Sequence, residues 1–265
     1  MTGQMLNGYV TKEQVDVAVR GDEYVTMRAF ADQFKRRHSQ LLARYSGRWP
    51  KDPLTQWSRR FEYPFTASAL GDGAGRRLLD AGAGFTFFPF YMSECRGWDV
   101  VACDADNLAT LYEGVASKEV EFRRGFLENI PLPDASVDAV MCVSVLEHMD
   151  DPQTVVSEFA RVLRPDGQLV VTMDICRDGR ADIPLDRARV LLGMLTERFE
   201  PVLDHGVDDP WSPGVLSTTT SPRQQLPWWD GRLYGLYNDG RRKRLPMPKT
   251  VDLTCYALSA RLRNR

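Results

Sequence analysis

The sequence predicts an α/β protein built on a doubly wound, mostly parallel sheet with helices on both faces. Three observations carry that expectation. From about residue 76, short apolar runs alternate with helical patterns, the rhythm of successive β–α units. Runs such as LLDAG and VVACD are apolar almost throughout, as strands covered on both faces are. The first run ends in Asp80 and a Gly-Ala-Gly turn, and the second ends in Asp104, which places two acids at one edge of the sheet.

Taken in order, residues 1–20 read as loosely ordered. From Asp22 to Tyr45, Tyr24, Val25, Met27, Phe30, Phe34, Leu41 and Leu42 recur at helical spacing. SGRWPKDP breaks that pattern. Asp52-Pro53 reads as an N-cap with proline at the first helical position, opening a second helix along LTQWSRRFEYPF that Pro64 should kink or end. GDGAG (71–75) reads as a hinge-like linker. Residues 1–75 are thus expected to form a helical cap and 76–265 the core domain.

Within the core, strands are expected at 77–82, 98–104, 120–125, 137–145 and 168–174. Helices are expected along FPFYMSECRG, NLATLYEGVAS and QTVVSEFARVL, the last capped by Asp151-Pro152. RPDG (164–167) reads as a turn. PLDRARVLLGMLTERF is a further helix, FEPVLD a short strand, and DLTCYALSARL (252–262) a closing strand. Residues 205–250 lack a clear period and are rich in Pro, Gly, Trp and Tyr. An insertion of that length inside a domain is often a lid or binding segment. Its Trp228, Trp229, Tyr234 and Tyr237 could wall an acceptor or anchor the loop, and RRKR (241–244) reads as a solvated loop.

The chain has 265 residues, a net charge of −2, and no apolar run of membrane-spanning length. There is no global basic field to hold nucleic acid. MTGQMLNGYVTKEQ lacks the charged start and apolar stretch of a signal peptide, so a cytoplasmic protein is expected. Cysteines 95, 103, 142, 176 and 255 form no Cys-x-x-Cys spacing and read as reduced thiols, with no metal site.

The glycine turn constrains its ligand. Read as Gly-x-Gly-x-x-Gly, it runs Gly82, Gly84, Phe87. A phenylalanine cannot give the close helix–strand packing that the third glycine of a dinucleotide fingerprint allows. No Gly-Lys-Ser/Thr follows, so the P-loop pattern fails as well. What remains is a tight turn that a ligand can approach, with Asp104 about twenty residues on, where a carboxylate can accept both hydroxyls of a ribose. Of the aromatics that follow, Phe87, Phe88, Phe90 and Tyr91 read as the packed start of a helix, with Thr86 as its cap. Phe85 is the ring expected to border the ligand.

These residues resemble the class I S-adenosylmethionine-dependent methyltransferases, in their small-molecule, type 11-like branch. LLDAGAG is similar to the family's first motif and VVACD to its second. GFLENIPLPDASVDAVMCVSVLEHMDDP, followed by ARVLRPDGQLVVT, is similar to its later core. The resemblance spans roughly 76–175. It implies a Rossmann-like, seven-stranded sheet with a reversed last strand, and S-adenosylmethionine as cofactor, released as S-adenosylhomocysteine. Carried over by position, Asp80 organises the methionine amino end, and Ala81, Gly82, Ala83 and Gly84 line the methionine and ribose. Asp104, with Ala105 beside it, holds the ribose hydroxyls, and Gly125, Phe126 and Leu127 flank the adenine. Ser144 and Val145 lie near the sulfonium. Phe126 stands where the family often has an acid, so the adenine amino group is left to Glu128, to a backbone carbonyl or to apolar contact alone.

Methyl transfer needs a base only where the nucleophile holds its proton tightly. His148, just after the fourth strand, is the candidate, and simple packing at the turn is its alternative. Glu147 either contacts ligand or caps structure. Tyr63 or Phe65, on the segment before the first strand, either touches cofactor or substrate or packs in the core. The function expected is methyl transfer to a small molecule, through oxygen or nitrogen rather than carbon, in secondary metabolism. The alternatives are non-methylating chemistry on the same cofactor, such as cyclisation or decarboxylation, and a non-catalytic binding protein.

Overall fold

The computed structural model describes residues 5–44, 54, 56–179, 183–219 and 252–263. Its centre is one mixed sheet in the order β1-β9-β6-β5-β2-β3-β4. The parallel part is β2 (Arg77–Ala81), β3 (Asp99–Asp104), β4 (Val120–Arg124), β5 (Val137–Val143) and β6 (Leu163–Cys176). β9 (Leu253–Leu262) runs antiparallel beside β6, as the reversed last strand was expected to. β8 (Phe199–Pro201), paired to β9, lies where the short strand FEPVLD was expected, and the described residues add two further short strands to the expected seven: β1 (Gly8–Tyr9), paired to β9, and β7 (Ile183–Pro184), paired to β6.

Strand alternation explains the two covered faces. Leu78, Val100, Ala139 and Val170 point to one side, where α2 (Asp22–Arg37), α4 (Arg59–Leu70) and α5 (Phe88–Glu94) pack. Leu79, Val101, Val140 and Val171 point to the other, against α7 (Pro152–Val162) and α8 (Leu185–Arg198). The strand order reverses between β2 and β5. Chain leaves β2 toward β3 and β4 on one side, and β5 toward β6 on the other. The crevice over the C-terminal ends of β2 and β5 is therefore the topological switch point, where open α/β sheets bind ligands.

Several local expectations hold. Asp151 accepts from the Thr154 N–H at 3.1 Å, with Pro152 in the first turn of α7. The Thr86 hydroxyl accepts from the Phe88 N–H at 3.2 Å where α5 begins, and α6 (Ala109–Val115) covers β3 and β4 from the same side.

Five expectations are corrected. Residues 5–20 are not loose, because α1 (Lys12–Arg20) opens with a full capping box at Thr11 and Gln14, and β1 joins the sheet. Two helices, α2 and α3 (Ser39–Arg44), replace the single one expected up to Tyr45. Pro64 lies inside α4, which continues to Leu70; the helix starts only at Arg59, and the expected Asp52-Pro53 cap is outside the described residues. GDGAG is no free hinge. Trp98 lies against Gly73, where a Cβ would come within 2.6 Å of its ring, and the Trp98 indole N–H bonds the Gly71 carbonyl at 3.0 Å. The expected RPDG turn is absorbed into β6 as an irregularity that shifts its register against β5, with Asp166 at φ +61°.

The insertion before β9 is described only to Thr219. Residues 205–217 make isolated bridges to residues 7, 9, 11 and 254, so this part runs along β1 and β9. Trp228, Trp229, Tyr234, Tyr237 and residues 241–244 lie outside the described residues. Among the described residues, no helix is long and apolar enough to cross a membrane.

Asn7 fastens the N-terminal segment. Its buried side chain donates to the carbonyls of Leu203 and Ser259 and accepts from the Ser259 N–H at 2.7 Å. Truncation would strand those buried groups, and each costs about 1–3 kcal/mol when left unsatisfied. Asn7→Ala should therefore lower the unfolding free energy by about 2 kcal/mol or more in a urea titration. A loss under about 0.5 kcal/mol would mean that the segment adds little to the fold.

Candidate functional site

At the switch point lies a partly open cleft lined by Gln56, Arg59, Tyr63, Gly82–Gly84, Thr86 and Val143–Val145. Three elements build it: the turn after β2, the turn after β5, and α4 lying across both.

The turn after β2 is fixed from β3. The Gly82 and Ala83 N–H groups both donate to the Cys103 carbonyl, at 2.9 and 3.1 Å. Gly84 N–H donates to the Asp104 carboxylate at 2.8 Å, and the Tyr112 hydroxyl donates to the Gly84 carbonyl at 2.9 Å. Gly82 and Gly84 sit at φ +77° and +54°, the left-handed region that glycine enters without penalty. Gly82 is constrained a second time, since a Cβ there would come within 2.5 Å of the Val145 side chain. The two turns can approach each other only because that atom is missing.

The acids flank this turn. Asp80, at the end of β2, is 6% exposed; burial, and after it the charge of Asp104, pushes its carboxyl up to about 8. Asp104, half-buried, also accepts from the Asp106 N–H at 2.9 Å. Each of its oxygens keeps lone pairs for a further donor. Gly125 N–H bonds the Asp104 carbonyl at 2.9 Å, so the turn after β4 is set directly beside that acid. Phe126, next in sequence, is 68% exposed, while Leu127 is buried beneath it. A large ring left open at the rim suits a flat apolar ligand face.

On the other wall, Ser144 has φ +49° and is buried. Arg59 donates to Ser144 Oγ at 2.5 Å and pairs with Glu62, and Ser144 donates to Glu62 at 2.7 Å. Burial alone would raise the Glu62 carboxyl; the Arg59 guanidinium and the Ser144 hydroxyl outweigh it and hold it low. Tyr63 stacks on Phe88 with ring centroids 4.1 Å apart, and burial raises its phenol to about 12. Glu147 is buried, accepts from the Asp174 N–H at 2.9 Å, and is pushed by burial up to about 8. Glu62, Asp174 and Cys255 bring ligand atoms within 4.8 Å of one another, but the Glu62 member is already committed to Arg59.

Of the residues expected from sequence, the structure brings Tyr63, Gly82, Ala83, Gly84, Ser144 and Val145 to the cleft wall. Ala81 is buried at the end of β2, and Asp104, Ala105, Gly125 and Phe126 run along the neighbouring strand ends. Phe85 is a correction. It is 2% exposed and packs edge-on against Tyr112 at 5.5 Å and Phe90 at 6.5 Å, so its ring belongs to the aromatic layer behind the loop and not to the cleft wall. His148 is exposed on a short 3-10 turn (Leu146–His148) beyond Val145 and is not part of the cleft lining. Sequence reasoning missed Gln56, Arg59 and Val143 as wall residues. The spacing of Arg59 and Tyr63, one turn apart on α4, was the available signal for Arg59, whereas Gln56 precedes the helix.

With this geometry in hand, known proteins can be compared. A model of the methyltransferase domain family matches residues 79–171, from β2 into β6. A probable S-adenosylmethionine-dependent methyltransferase of Mycolicibacterium smegmatis is 36% identical over 116 residues, 44% of this chain and 44% of that protein. The chain spans less than half the length of the first curated relatives it matches. Among solved structures, the [4+2]-cyclase SpnF aligns with a TM-score of 0.56 at 20% identity, covering 87% of this chain and 94% of that one. A geranyl diphosphate C-methyltransferase from Streptomyces coelicolor A3(2), in complex with Mg2+, geranyl diphosphate and S-adenosyl-L-homocysteine, aligns with a TM-score of 0.53 at 16% identity, covering 78% and 82%. At such identities the two structures share the fold with this chain.

The double constraint on Gly82 is directly testable. Gly82→Ala adds left-handed strain of about 1–2 kcal/mol to the clash with Val145. It should lower the unfolding free energy by at least that amount. Adding Val145→Ala should restore the part due to the clash and leave the part due to φ. Wild-type stability in the single variant would show that the turns are not in tight contact.

Proposed function

We propose, on the premise that residues 79–171 carry a class I S-adenosylmethionine-dependent methyltransferase domain of the type 11 branch, that this chain methylates a small-molecule acceptor. The observation that carries the proposal is the cleft at the β2/β5 switch point, with its glycine turn held between two acids. The donor set suits the cofactor of that domain. Asp80 offers a carboxylate to the methionine ammonium, Asp104 accepts from a ribose diol, and the exposed Phe126 ring offers a face to adenine. No pyrophosphate cradle is present at Phe87.

Bound there, S-adenosylmethionine would supply an electrophilic methyl carbon: the acceptor's lone pair would bond to it as the carbon–sulfur bond breaks, S-adenosylhomocysteine would leave, and the acceptor's proton would pass to a base or to solvent. The chain's own residues orient and enclose. Tyr63 and Thr86 wall the cleft from above, and Ser144 and Val145 close it beyond the strand ends. His148 stands exposed on the turn after that wall, open to an acceptor that arrives from solvent, and is the candidate base for an oxygen or nitrogen nucleophile. A small acceptor fits the net charge of −2 better than nucleic acid does. Five free cysteines, four of them buried, fit a reducing cytoplasm.

A second proposal, non-methylating chemistry on a bound cofactor, has behind it only the fold likeness to a [4+2]-cyclase. One assay separates the two. The full chain is incubated with S-adenosylmethionine and a panel of phenols, alcohols and amines, and S-adenosylhomocysteine is measured. Release that depends on an acceptor supports methyl transfer. Acceptor turnover with no release supports the second proposal, and binding without any turnover would reject both.

Two variants test the donor set. Asp104→Ala should weaken S-adenosylhomocysteine binding by about 1.5–3 kcal/mol, the scale of charge-assisted hydrogen bonds, and an unchanged Kd would reject the ribose role. Asp80 makes binding pH-dependent. Its folded, ligand-free carboxyl titrates at about 8, and an ammonium beside it favours the ionised form. Binding therefore expels a proton. Affinity should rise with pH up to about 8, level off above, and fall by up to about tenfold per unit below it. Calorimetry from pH 6.5 to 9 reads this slope, and Asp80→Asn should flatten it. An equal slope in that variant would assign the titration elsewhere.

A further inference from the structure

Glu62 has no exposed surface and does not line the cleft, yet two cleft walls lean on it. Its carboxylate takes the Arg59 guanidinium on one oxygen and the Ser144 hydroxyl on the other. Arg59 closes the ring by donating to Ser144 Oγ. Ser144 occupies the left-handed region at φ +49°, which is unfavourable for a residue other than glycine. The surroundings must hold it there. Its N–H bonds the Thr172 carbonyl at 2.8 Å, and its side chain is held by Glu62 and Arg59. The next residue, Val145, is the one seated against Gly82.

Burying an ion pair is a poor way to gain stability, because desolvation offsets the attraction and apolar replacements of similar volume often do as well. Here the pair is placed where it fixes a strained turn at a ligand cleft. Strain of this kind persists only where neighbouring groups over-determine it.

We propose that Glu62 is a positioning residue for the cofactor site: through Ser144 and Arg59 it fixes the turn after β5, and with it the wall that closes on the cofactor's methionine end. This deepens the functional proposal above and rests on it. Helix α4, outside the matched domain at 79–171, is on this view a working wall of the site.

The test is calorimetric titration of the full chain with S-adenosylhomocysteine, joined to steady-state kinetics on any acceptor found. Glu62→Gln keeps the side chain's size, leaves Arg59 and Ser144 in place and removes the charge that binds them. It should raise Kd and the KM for S-adenosylmethionine ~10-fold, the scale of one charge-assisted hydrogen bond, and change kcat less than ~3-fold. Glu62→Asp, which keeps the charge, should recover part of the affinity. Unchanged Kd in Glu62→Gln, with or without a lower Tm, overturns the inference, because a purely structural Glu62 would move only Tm. Should Glu62→Gln not fold, Glu62→Asp is titrated in its place: it leaves the wall residues Arg59 and Ser144 intact and withdraws the carboxylate from them by one methylene. Weakened binding in that variant supports the inference, and wild-type affinity overturns it. A wild-type chain that takes up no S-adenosylhomocysteine overturns the functional proposal and this inference with it, whereas wild-type binding with an indifferent Glu62→Gln overturns the inference alone.

Discussion

The site depends on one close approach. Gly82, in the turn after β2, and Val145, in the turn after β5, meet at a distance that leaves no room for a Cβ. Both turns sit in the left-handed region, one through a glycine and one through Ser144. Parallel pairing of β2 with β5 sets the spacing of the two strand ends, and the reversal of strand order opens the crevice above them. A bulkier residue at 82 would push the β5 turn outward. It would also break the pair of hydrogen bonds that ties this loop to the Cys103 carbonyl. The switch point gives the location of the cleft, and the missing Cβ gives its floor.

Electrostatics add a second constraint. Asp80 and Glu147 are buried carboxyls pushed up to about 8, so near neutral pH the ligand-free site carries fewer charges than its formula suggests. Glu62 behaves in the opposite way, because Arg59 sits on it. The same burial thus raises Asp80, whose charged neighbour is another carboxylate, and is outweighed at Glu62, which a guanidinium contacts. A ligand that brings its own positive charge to Asp80 would do there what Arg59 does for Glu62. On the proposed function, cofactor recognition and proton release would be one event at Asp80.

Much of this was legible in the sequence, for physical reasons that also mark its limits. Strands β2 to β6 declare themselves because burial on both faces demands continuous apolar runs, and the acids at 80 and 104 mark the strand ends where those runs stop. Asp151-Pro152 and Thr86 are legible because caps act within three or four residues. The two-residue strand β1 carries no local signature, since its pairing with β9 depends on Asn7 reaching Ser259 across most of the chain. Phe85 misleads because position in a loop does not say which way a ring turns; here Phe34, Phe90 and Tyr112 give it a better place behind the loop. Arg59 misleads more deeply. A charged residue in an amphipathic stretch reads as solvent-facing, and only Glu62 one helical turn on, together with Ser144 from a distant strand, makes its burial tolerable.

That last point bears on what the N-terminal segment is. A cap appended to a finished core would touch it through a separate apolar patch. This one is threaded into it at three levels: β1 extends the sheet, α2 shares an aromatic layer with α5 through Phe30, Phe34 and Phe90, and α4 places charge beneath the cleft. The first two levels are packing, and packing tolerates substitution as long as volume is kept. The third does not, because removing either partner of a buried ion pair leaves the other charge unpaired. Sequence change in the N-terminal segment is therefore least free at Arg59 and Glu62, where it would be felt first in the β5 turn, some eighty residues away in sequence, and through Val145 in the glycine loop that turn supports.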